Sequence, residues 1–174
     1  MPRSWAGDPN RIAVAGDSAG GNISAVMAQL ARDNGGPALA FQLLWYPSCI
    51  GDLSLPSHLP GLDISDHTTL PTTLAPGNGD LSALPPAFIG TAEHDPLRDD
   101  GARYAELLGT AGVPVEWRNK PNMVHGCINF ALVVPAAAEA ANRGLALCPK
   151  PVPTGWCWFH GSSSSSSLCR SFSG

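Results

Sequence analysis

The stretch "RIAVAGDSAGGNISAVMAQLA", from Arg11 to Ala31, constrains this chain more than any other. Ile12 to Ala15 is a short apolar run that stops at a turn residue, the pattern of a buried strand. Asn22 to Arg32 then carries a helical pattern. Between the two lie Gly16, Asp17, Ser18, Ala19, Gly20 and Gly21. A strand that passes into a helix through so tight a turn belongs to the layered α/β architectures.

The rest of the chain keeps that rhythm. Phe41 to Tyr46 and Ala87 to Ala92 read as further buried parallel strands, and Val115 to Arg118 as a shorter, more polar one. Helical patterns cover Ala102 to Thr110 and Ala136 to Leu147, the latter with Pro135 where a helix can begin without losing a hydrogen bond. Two segments depart from it. Pro47 to Pro86 is rich in Pro, Gly, Ser, Thr and Asp with no sustained period, and reads as a long excursion of the kind that covers a site or is disordered. From Cys148 onward the chain becomes "CPKPVPTGWCWFHGSSSSSSLCRSFSG", whose serine run buries too little to offset its ordering entropy. The expected organisation is one α/β domain over residues 1–147 and a disordered Ser-rich tail over 148–174.

Composition narrows the function. A net charge of -4, with only 14% charged residues, provides no basic stripe to follow a phosphate backbone, so nucleic acid is not an expected partner. No apolar run reaches the roughly 18 residues needed to span a bilayer, and "MPRSWAGDPN" lacks the apolar core of a secretory signal. A soluble, cytoplasmic protein is the expectation. The five cysteines, Cys49, Cys127, Cys148, Cys157 and Cys169, are scattered and odd in number, and read as free thiols. Cys148, Cys157, His160 and Cys169 have spacings too irregular for a metal site. No metal and no organic cofactor is expected.

Ser18 needs a reason for its place. A serine hydroxyl is a poor nucleophile until a base takes its proton and a donor stabilises the oxyanion that follows attack. The G-x-S-x-G turn of Gly16, Asp17, Ser18, Ala19 and Gly20 answers both needs. Gly16 and Gly20 flank a bend that holds Ser18 in a strained conformation, and the helix opening at Ala19 aims free N–H groups at the developing charge. The competing reading is a glycine-rich turn that binds phosphate or merely packs closely. No GxGxxG or GxxxxGK[ST] is present, which removes its Rossmann and P-loop forms.

A serine nucleophile on such a turn requires an acid and then a histidine downstream, each after a later strand. After "AFIGTA" comes "EHDPLRDDG", and after "VEWR" comes "NKPNMVHG". Asp95 and His125 stand in that order. His58, His67 and His160 lie in irregular or tail segments, and His94 precedes the acid. The plainer reading of Asp95 is that it opens a turn before Pro96, while Asp99 or Asp100 caps a helix beginning near Gly101.

"GDSAGGN", "YP" at Tyr46 and Pro47, "LPPAFIGTAEHDPLRDDGARYAELLGTAGVPVEWR" and "MVHG" together resemble the hormone-sensitive-lipase-like (class IV) esterases of the α/β-hydrolase fold. The resemblance runs from about Asp8 to Leu147 with a gap in the middle. It implies a mostly parallel sheet flanked by helices and a carboxylic-ester hydrolase working through an acyl-enzyme. Ser18, Asp95 and His125 would form the triad, the Ala19 N–H would donate to the oxyanion, and the partner would be a small-molecule ester. The family's upstream HGGG-type oxyanion loop, its first strands and its N-terminal cap helices have no counterpart here. A partial fold is therefore expected, with the Ile12 strand at an exposed edge that invites self-association and with weak or absent turnover by this chain alone. Two other readings stay open: an amidase or peptidase on the same fold, and a catalytically silent interaction module.

Overall fold

The computed structural model describes residues 11–58 and 67–148. Its elements are β1 (Ile12–Asp17), α1 (Ala19–Asp33), β2 (Leu39–Trp45), β3 (Ala87–His94), α2 (Arg98–Thr110), β4 (Val115–Val124) and α3 (Pro135–Leu147). Short 3₁₀ turns lie at His67–Thr69, Pro76–Asn78 and Cys127–Phe130. The strands form one sheet in the order β1-β2-β3-β4, every neighbouring pair parallel. The register sets Asp17 beside Trp45, Trp45 beside Gly90, and Gly90 beside Arg118.

Side chains alternate across a strand, and that alternation divides the core in two. Leu44 and Ile89 face Ala25 and Ala28 of α1 and Tyr104 and Leu108 of α2. Leu43, Trp45 and Phe88 face Ala140 of α3. The rings of Trp45 and Phe88 meet edge to face at 5.2 Å. The sheet thus has helices on both sides, which is why β2 and β3 read as almost unbroken apolar runs. Cys49, Cys127 and Cys148 are buried free thiols.

Three features differ from the sequence reading. β4 runs to Val124 rather than Arg118, through Asn119, Lys120, Pro121 and Asn122. Among the described residues it is the last strand of the sheet, paired on one side only, so polar residues and a proline are tolerated there. α2 begins at Arg98, earlier than expected, and Asp99 and Asp100 lie in its first turn; the cap position is Leu97, so neither aspartate is the cap. α1 begins at Ala19, where the turn motif placed the helix opening. The excursion after β2 contains 3₁₀ turns and delivers Ile50, Leu81 and Leu84 to the core, an order too short in period to be seen in the sequence.

β1 occupies the opposite end of the sheet, hydrogen-bonded to β2, and all six of its residues are only half buried. Among the described residues no helix is long and apolar enough to cross a membrane. Residues 1–10, 59–66 and 149–174 lie outside the described residues, and with them most of the segment read as a disordered tail, Cys157, His160 and Cys169 included.

Leu44 is fully buried between the sheet and two helices. Replacing it by alanine is expected to cost about 2–5 kcal/mol of unfolding free energy. Leu132→Ala, at a site 94% exposed, should stay within about 0.5 kcal/mol of the parent. Urea denaturation of both variants checks the pair.

Candidate active site

The turn after β1 is forced from both sides. The Ser18 N–H still donates to the Trp45 carbonyl at 2.8 Å, which keeps Ser18 in the ladder, while its own carbonyl already accepts from the Asn22 N–H at 3.1 Å as α1 starts. One residue must serve both elements. It does so at φ 53° and ψ -120°, a backbone region that a side chain disfavours.

The glycines divide this task unequally. A side-chain carbon on Gly16 would sit 2.2 Å from the Gly20 carbonyl oxygen, and one on Gly21 would sit 2.9 Å from Cβ of Pro47. At Gly20 the nearest atom would be Oδ1 of Asp17, 4.0 Å away. The bend is therefore made possible by the bare Cα of Gly16 against the backbone of Gly20, whereas a side chain at Gly20 itself would have room.

Ser18 occupies the cap position of α1, yet its hydroxyl makes no cap bond. It points instead to Nε2 of His125, 2.9 Å away. The N–H of Ala19, at the first helical position, has no acceptor within the helix.

β3 and β4 deliver the other two groups. Asp95 follows β3 directly and is 4% exposed. Its Oδ1 accepts from the Leu97 N–H at 2.8 Å, and its Oδ2 lies 2.9 Å from Nδ1 of His125. The turn expected at Asp95–Pro96 and the contact with His125 thus use different oxygens of one carboxylate. His125 follows β4, and Gly126, at φ 77°, turns the chain into the 3₁₀ turn Cys127–Phe130.

A carboxylate only accepts, so Nδ1 of His125 carries the proton toward Asp95 and Nε2 is left to accept from the Ser18 hydroxyl. The hydrogen bond to Asp95 raises the His125 pKa above the ordinary 6.5; partial burial opposes the rise, and the charges of Asp95 and Asp17 add to it. In chemical terms, a serine O–H faces a neutral imidazole whose protonated form is held ready by a buried anion.

Ser18, Asp95 and His125, chosen from the sequence, are thus within hydrogen-bonding distance in the structure. Other candidates are elsewhere: His94 is largely exposed beside Glu93. Residue-by-residue reasoning missed Tyr46, whose ring packs against the His125 imidazole at 4.7 Å. The sequence named it only within the "YP" pair of the resemblance, with no role attached. It also missed Asp100, which is fully buried and accepts from backbone N–H groups of the excursion.

Residues 2–71 and 56–129 match the family model described as the alpha/beta hydrolase fold. The chain belongs to the α/β-hydrolase fold family. Within this α/β-hydrolase family the motifs place it with the hormone-sensitive-lipase-like members. It is similar to carboxylesterase NlhH of Mycobacterium tuberculosis, 71% identical over 161 aligned positions covering 80% of this chain and 50% of that protein. Esterase LipI of the same organism is 53% identical, with 82% of this chain and 51% of the relative covered. Among solved structures, an esterase of Pyrobaculum calidifontis superposes with a TM-score of 0.71 at 36% identity, covering 80% of this chain and 52% of that one. The chain spans about half the length of the curated relatives it matches.

Because His125 is raised by its bond to Asp95, Asp95→Asn is expected to move the imidazole midpoint down toward that of a free histidine, read by NMR titration of the ring. The sign carries to stability. A raised folded pKa stabilises fully below the unfolded value of 6.5, and this contribution is lost as pH rises through the folded value. Asp95→Asn should remove that part of the pH dependence of unfolding.

Proposed function

We propose that this chain carries the hydrolytic centre of a carboxylic-ester hydrolase, with Ser18 as nucleophile, His125 as general base and acid, and Asp95 as the carboxylate that orients His125. The observation that carries the reading is the continuous relay from Asp95 Oδ2 to His125 to the Ser18 hydroxyl, 2.9 Å at each step, ending on a serine that leaves its helix uncapped. The names of the relatives, a carboxylesterase and two esterases, favour esters as the substrate class.

The proposed steps use these groups in turn. As Oγ of Ser18 attacks the ester carbonyl, its proton passes to Nε2 of His125, and the imidazolium is stabilised by Asp95. The carbonyl oxygen becomes an oxyanion, toward which the Ala19 N–H and the positive end of α1 are directed. Collapse of this intermediate breaks the bond to the alcohol, which leaves with the proton from His125. Water, deprotonated by the same nitrogen, then attacks the acyl-serine and releases the carboxylic acid. Loss of a single oxyanion donor costs about 10²- to 10³-fold in turnover.

The test is labelling by a fluorophosphonate, which reacts with an activated serine whether or not turnover is fast. Modification at Ser18 is expected, absent in Ser18→Ala and strongly slowed in His125→Ala. The labelling rate should fall as pH drops through the raised pKa of His125, because the protonated ring cannot accept the serine proton. Hydrolysis of a short-chain nitrophenyl ester, with the matched amide alongside, separates ester from amide preference. A folded chain that takes no label, and whose ester hydrolysis is equal with and without Ser18, would remove the catalytic reading.

A further inference from the structure

The segment Tyr46–Gly51, just after β2, reaches the Ser18 turn, the ring of His125 and the first turn of α2, which follows Asp95. Tyr46 is wholly buried at the unusual φ of 33°, and its N–H donates to the Gly90 carbonyl at 2.6 Å. Its ring lies on the imidazole of His125. Pro47 fills the space left by the missing side chain of Gly21 in the nucleophile turn, and its Cδ comes within 3.4 Å of where a Gly101 side chain would begin. The Ser48 carbonyl accepts from the Asn22 amide of α1 at 2.5 Å. The N–H groups of Cys49, Ile50 and Gly51 then converge on the carboxylate of Asp100, at 2.5, 3.0 and 3.1 Å.

Asp100 is an unusual place for a charge. It is 0% exposed, and burial pushes its pKa up while the three N–H donors pull the other way. A buried carboxylate is retained when its partners satisfy it, and here those partners all belong to one loop. Asp99, its neighbour, holds the same excursion further along through the Ser57 N–H at 3.0 Å. The turn that carries Asp95 to His125 therefore continues directly into the residues that grip the segment packed on the other side of His125.

We infer that Asp100 is a positioning residue: by gathering the amides of Cys49, Ile50 and Gly51 it seats Tyr46 against His125 and Pro47 against the Ser18 turn, so that both hydrogen bonds of His125 are set together. The inference rests on the proposed roles of Ser18 and His125. Asp100 touches no reacting atom and acts through the loop. Asparagine at this position keeps one carbonyl acceptor but cannot serve three donors. The imidazole should then lose its fixed distance to both partners, and misplacement of a reacting group by about 1 Å can slow a reaction by about 10²-fold.

The experiment uses the full chain as parent, Asp100→Asn and Tyr46→Leu, with folding followed by circular dichroism. Two readouts are taken well below the melting temperature: the downfield Nδ1 proton resonance of His125 bonded to Asp95, and the rate of fluorophosphonate labelling. Asp100→Asn is expected to broaden or abolish the resonance and to slow labelling about 10- to 100-fold. Tyr46→Leu, which leaves the Asp100 bonds intact, should do the same. An anchor with a purely structural role would lower the melting temperature and leave both readouts unchanged, and that result in a folded Asp100→Asn chain overturns the inference. If Asp100→Asn does not fold, Tyr46→Leu decides alone, a preserved resonance and rate counting against it. Should the parent take no label at all, the catalytic reading falls, and the His125 resonance still decides on positioning.

Discussion

The contact between Gly16 and the backbone of Gly20 is the constraint from which the rest of the site follows. Because nothing but hydrogen stands on Gly16, β1 can end and α1 begin within one residue, and that residue is left at a conformation its neighbours impose. The strain at Ser18 is held by bonds on both sides, to Trp45 in the sheet and from Asn22 in the helix. A longer, relaxed connection would let the serine cap α1 in the usual way. The short one turns its hydroxyl outward to His125.

What could be read in the sequence divides along the same line. Ser18, Asp95 and His125 were legible because the glycine pattern names the first and chain order after strands names the other two. β2 and β3 were legible because burial on both faces leaves a continuous apolar run. β4 was read short, since an outer strand tolerates Lys120 and Pro121 and loses the signal that marks an inner one. Asp99 and Asp100 resemble helix caps in composition, but Asp99 accepts from its neighbour Arg98 and from the Ser57 amide, and Asp100 from the amides of Cys49 to Gly51, about fifty residues away. No local pattern records such a contact.

The excursion after β2 shows how irregular chain can still be ordered. Its described parts lack a period because they are held by individual bonds: the Asn22 amide on the Ser48 and Leu74 carbonyls, the Gln29 amide on the Pro76 carbonyl, the Arg32 guanidinium on the carbonyls of Asp80 and Ser82. All three donors stand on α1. The helix that starts at the Ser18 turn is thus also the post along which the excursion is tied.

The uniform direction of the strands has a further effect. β1, β3 and β4 all end on one rim of the sheet, and the groups they hand over must meet there; a single reversed strand would carry its residue to the far side. Such a layout gathers Ser18, Asp95 and His125 by strand direction and leaves the loops beyond the rim to set how closely they meet.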